Sequence, residues 1–96
     1  MNQVTLISTR QRPLQPLVEA AFSHELRLLE AAIQQTERRL KSFEDRHGMK
    51  SAEFVRRYED DEFDETLDYA DWIGELRLLN RLQEKADAYR EIQFVH

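Results

Sequence analysis

The sequence predicts an all-α protein: a long antiparallel helical hairpin with a short intervening helix and an N-terminal extended arm, pairing into a dimeric four-helix arrangement. Three observations predict it. Phe22, Leu26, Leu29, Ile33, Thr36, Leu40 and Phe43 step by fours and threes, which lays a narrow apolar stripe along a helix that must meet another helix. No Gly or Pro stands between Pro16 and Gly48, and the 96-residue chain holds only two of each. A helix of about 30 residues is ~45 Å long, whereas a compact domain of this size has a radius of gyration near ~13 Å. The long elements must therefore lie side by side as a rod.

Residues 1–13 read as an extended arm or short strand, because Val4-Thr5-Leu6-Ile7-Ser8-Thr9 has β-type composition. Pro13 and Pro16 separate it from a helical hairpin domain over 14–96. Pro16 suits a first helical turn, where its missing N–H costs nothing. The first helix is expected over about 17–46. Its early half is broadly apolar, with Val18, Ala21, Leu28 and Ala32 beside the main stripe, and a wide face suits the inside of a bundle. Gly48 occupies the place of a C-terminal cap. Ser51 reads as the N-cap of a second helix over 51–60 carrying Phe54, Val55 and Tyr58. The third helix is expected over 64–92. Its apolar positions include Leu67, Tyr69, Trp72, Ile73, Leu76, Leu79, Leu82, Ala86 and Tyr89. Gly74 costs about 1 kcal/mol against Ala within it, so a close helix contact is expected there. The core and dimer stripe is Phe22, Leu26, Leu29, Ile33, Leu40, Phe43, Leu76 and Leu79.

The charge is uneven. Residues 51–65 carry seven acids against two bases, a net −5 that equals the charge of the whole chain. Such a patch repels nucleic acid and lipid headgroups and attracts a basic protein surface. Glu59, Asp60, Asp61, Glu62, Phe63, Asp64 and Trp72 are therefore the expected partner-binding residues. The chain has no Cys, so disulfides and thiolate metal sites are excluded. His24, His47 and His96 lack the spacing of a metal site, and the contiguous acids lack the central Gly of a calcium loop. There is no Gly-rich phosphate loop and no nucleophile placed beside a base. No catalytic residue, metal or cofactor is expected. A cytoplasmic protein is expected, with no signal peptide and no membrane span.

The segment Phe43-Glu44-Asp45-Arg46-His47-Gly48-Met49-Lys50-Ser51-Ala52-Glu53-Phe54, followed by Arg57-Tyr58-Glu59, Asp64, Leu67, Asp68, Tyr69 and Trp72, resembles a group of small acidic helical prokaryotic proteins, including cyanobacterial ones. Many of these are paired with a small toxin and described as antitoxins. His47 stands where that family usually has Tyr. The resemblance covers about a third of the chain and implies neutralisation of a toxin by direct binding; it supplies no catalytic residue. The sequence reading is thus a non-catalytic protein–protein interaction module, a homodimer that acts as an antitoxin-like inhibitor of a small basic toxin. Two alternatives stand beside it. One is a structural oligomerisation or adaptor module; the other is a DNA-binding autoregulator using the arm and its Arg10 and Arg12.

Overall fold

The computed structural model describes residues 3–4 and 14–94. Three helices dominate: α1 (Gln15–His47), α2 (Ser51–Glu59) and α3 (Leu67–Glu91). Helices α1 and α3 run side by side as an antiparallel hairpin, and the molecule measures 62 × 23 × 18 Å. A two-residue parallel ladder joins β1 (Gln3–Val4) to β2 (Gln93–Phe94). The remainder of the arm expected over 1–13 lies outside the described residues.

The stripe on α1 closes within the single chain. Leu29, Thr36 and Leu40 are buried along it. The matching stripe on α3 is Asp68, Trp72, Glu75, Leu79, Leu82, Ala86 and Tyr89, again stepping by fours and threes. Ala86 is fully buried. Thr36 is 1% exposed, yet its hydroxyl donates to the Ala32 carbonyl at 2.9 Å and accepts from Arg39 at 3.4 Å, so no polar atom is stranded. Pairs along the hairpin fix its register. At the bend, Arg46 and His47 both meet Asp68. Midway, Arg39 meets Glu75. At the open end, Arg90 holds Glu30 at 3.0 Å, and the rings of Phe22 and Tyr89 meet edge to face at 5.4 Å.

The helix termini follow local chemistry. Gly48 takes the left-handed conformation (φ 62°), which a Cβ would oppose, and the Glu44 carbonyl accepts both the Gly48 and the Met49 N–H. Ser51 does not cap α2, contrary to its expected role. The Glu44 carboxylate reaches forward to accept the Ser51 N–H at 2.8 Å, and the Ser51 hydroxyl is taken by Trp72. Helix α3 begins at Leu67 rather than near Asp64, because the Thr66 hydroxyl accepts the Tyr69 N–H at 3.1 Å and sets the start.

Part of the expected apolar face is not covered. Leu17 is 65% exposed, Leu28 53% and Leu67 80%. On the early half of α1, Leu17 and Leu28 therefore stay open, while Leu29 is buried and Phe22 meets Tyr89. Gly74 also differs from expectation: a Cβ placed there meets nothing within 4 Å, so no element among the described residues approaches it.

Candidate functional site

The bend end of the hairpin combines the core with the charged surface. Leu40, Phe54, Trp72 and Ile73 form the buried cluster there. Phe54 stacks on Trp72 at 3.8 Å with an interplanar angle of 4°. Phe43 lies nearly parallel to the indole at 5.7 Å, and His47 at 5.4 Å. The Trp72 indole N–H donates to the Ser51 hydroxyl at 3.0 Å. Trp72 and Phe54 are both fully buried. Trp72, expected at the partner surface, thus has no surface to offer; it is the keystone of the bend.

Helix α2 ends in a paired backbone cap. The Asp61 N–H bonds the Tyr58 carbonyl at 3.1 Å and the Glu62 N–H bonds the Arg57 carbonyl at 3.0 Å, with Asp61 at φ 58°. This cap places the acidic run on the outside of the bend. Its members then divide by role. Glu62 is held by Arg57 at 3.0 Å, and Arg57 also reaches Glu53 at 3.5 Å. The same guanidinium lies 4.7 Å over the Phe63 ring. Phe63 is half-buried against Phe54 and Tyr69, so most of it serves the core. The Tyr58 hydroxyl donates to Glu65 at 2.5 Å, which pushes the phenol's pKa up. Glu59, Asp60, Asp61 and Asp64 remain exposed and make no ion pair among the described residues.

Two further carboxyls are committed to the bend itself. The Glu44 carboxyl is held below its ordinary range by the Ser51 N–H. The Asp68 carboxyl is lowered by its bond to His47 and then by Arg46. The Asp68–Arg46 pair sits where helix dipoles assist, with Asp68 in the first turn of α3 and Arg46 in the last turn of α1.

Beside the acids, an open groove of about 500 Å³ runs between α2 and α3. Val55, Ile73, Leu76 and Leu79 give it an apolar floor, and Tyr58 and Glu59 stand among its walls. Glu59 thus belongs both to the free acids and to the groove. Sequence reasoning missed this groove, because its walls come from two helices whose relative placement no local pattern encodes. Among the described residues, no group of His, Asp or Glu side chains could hold a metal ion, and no helix is long and apolar enough to cross a membrane. The arrangement offers binding chemistry: exposed carboxylates next to a trough with an apolar floor and Arg77 on its wall.

No protein-family model matches the chain, and neither the curated proteins nor the solved structures give a significant match.

Proposed function

We propose that the chain is a non-catalytic binding module whose bend end captures a basic protein surface, and that it acts as an antitoxin-like inhibitor of a small basic toxin. One observation carries this reading: Glu59 joins a set of carboxylates with no ion pair among the described residues to a groove with an apolar floor. A basic partner can set Lys or Arg side chains against Glu59, Asp60, Asp61 and Asp64 while an apolar side chain enters between Val55 and Leu76. Charge then steers the encounter and apolar burial holds it.

The local electrostatics support the same reading. Glu59, Asp60 and Asp61 sit at the C-terminus of α2, where the helix dipole disfavours negative charge. Within the chain their presence lowers stability, so a cationic partner at that end would relieve an unfavourable arrangement. An antitoxin acting this way covers the basic surface that a nuclease-like toxin needs for nucleic acid.

Co-expression with the product of the adjacent gene tests the proposal. A stoichiometric complex that relieves growth arrest supports it. Absence of a complex, or arrest that persists despite one, argues for the structural adaptor reading instead.

A further inference from the structure

We infer that the outer face of α3 is a self-association surface, on which a second copy of this chain packs antiparallel about a two-fold axis near residue 76. This surface is separate from the acidic bend, so either proposal can fail without the other.

Helix α3 has three faces. One meets α1 through Trp72, Leu79 and Ala86; another meets α2 through Tyr69 and Ile73. The third carries Leu67, Asp71, Gly74, Leu78, Arg81 and Lys85, spaced by fours and threes and therefore aligned along one side of the helix. Among the described residues no element packs across it, though Leu78 is half-buried in a groove it shares with Arg39 and Phe43 of α1. Leu67 is 80% exposed, and Gly74 faces open space. Phe43, Gly74 and Leu78 share an open groove of about 460 Å³, with Asp71 and Arg81 also among its walls.

Gly74 is the first sign of an occupant. A mid-helix glycine costs about 1 kcal/mol against alanine, and no neighbour among the described residues requires the missing Cβ. A close-packed helix from outside would require it.

The order of residues identifies that helix. Inverted about position 76, the face maps onto its own complement. Asp71 falls opposite the partner's Arg81, and Gly74 opposite the partner's Leu78. Leu67 falls opposite the partner's Lys85, whose aliphatic stem can cover it. The two-fold axis makes each contact twice, as an isologous interface must. Neither Asp71 nor Arg81 makes an ion pair within the described residues, so both are available. A parallel pairing would instead set Asp71 against the partner's Asp71 and Arg81 against the partner's Arg81. Charge therefore selects the antiparallel arrangement.

Charge reversal with cross-complementation tests this on the full chain by sedimentation equilibrium. Asp71→Arg alone places Arg against Arg, and Arg81→Asp alone places Asp against Asp. Each variant is expected to raise the dimer dissociation constant at least about tenfold. Both sites are exposed, and a thermal melt followed by circular dichroism checks that each variant folds. An equimolar mixture of the two variants pairs every reversed charge with its complement and is expected to recover the dimer. A wild-type chain that is monomeric at about 100 µM overturns the inference, as would arise if the face receives a different protein or nothing. Single variants that associate as tightly as wild type overturn it too, as does a mixture that fails to recover.

Discussion

Trp72 donates its indole N–H to Ser51 at 3.0 Å while both residues lie on the walls of a bend closed by Phe54. That bond ties α3 to the first residue of α2 across a separation no local pattern spans. Replacing Ser51 with Ala leaves a fully buried donor without a partner, and this is expected to lower stability by about 1–3 kcal/mol. Phe54→Ala also empties a fully buried site and is expected to cost about 3–5 kcal/mol. Urea melts read through Trp72, the only tryptophan, check both values.

Acid should unfold the bend early. The Glu44 and Asp68 carboxyls are both lowered in the folded chain, by Ser51 for Glu44 and by His47 and then Arg46 for Asp68. The unfolded chain therefore binds more protons in the acid range, so stability rises with pH there. The contribution is complete above the ordinary carboxylate range near about pH 4 and is lost as pH falls through the lower folded values. Glu44→Gln is expected to flatten this acid limb and to cost about 1 kcal/mol at neutral pH through the weakened cap on α2. Denaturant melts across the acid range measure both effects.

Asp61 sits at φ 58° in the cap that ends α2, a conformation glycine adopts without a Cβ penalty. Asp61→Gly is expected to stabilise the chain by about 0.5–1 kcal/mol, since it also removes a negative charge from a helix C-terminus. A rise in the urea midpoint with an unchanged slope is the expected result. Weaker capture of a basic partner by the same variant would show that the fold gives up stability here for binding.

Gly74→Ala should separate stability from self-association. The added methyl enters open space on the outer face of α3, so the melting temperature of the hairpin is expected to rise, by the equivalent of about 1 kcal/mol. The dimer is expected to weaken in the same sample. Calorimetry at low concentration and sedimentation at high concentration read the two effects apart.

The long hairpin was legible because one signal repeats. The spacing from Phe22 to Phe43 survives as a continuous α1, with Leu29, Thr36 and Leu40 buried along it. Gly48 was legible because a left-handed cap has few alternatives. What failed was assignment by residue type alone. Ser51 has the composition of a cap, but its hydroxyl is claimed by Trp72 from another helix. Thr66 is the cap of α3, and the pattern Thr66-Leu67-Asp68-Tyr69 held that signal beneath the louder acids at Asp64 and Glu65. Among the expected surface residues, Glu59, Asp60, Asp61 and Asp64 are exposed and make no ion pair among the described residues. Glu62, Phe63 and Trp72 are committed to Arg57 and the aromatic cluster. Side chains divide this way through contacts between α2 and α3, which composition does not contain.

The most direct measurement is a calorimetric titration of the co-expressed basic partner against the wild-type chain and against the triple variant Glu59→Lys, Asp60→Lys, Asp64→Lys. These three acids make no ion pair among the described residues, so far-UV circular dichroism should be unchanged. The triple variant is expected to bind more weakly by about a hundredfold or more, with the salt dependence of the wild-type complex lost. Equal affinity for the folded triple variant would contradict the acidic bend as the binding surface.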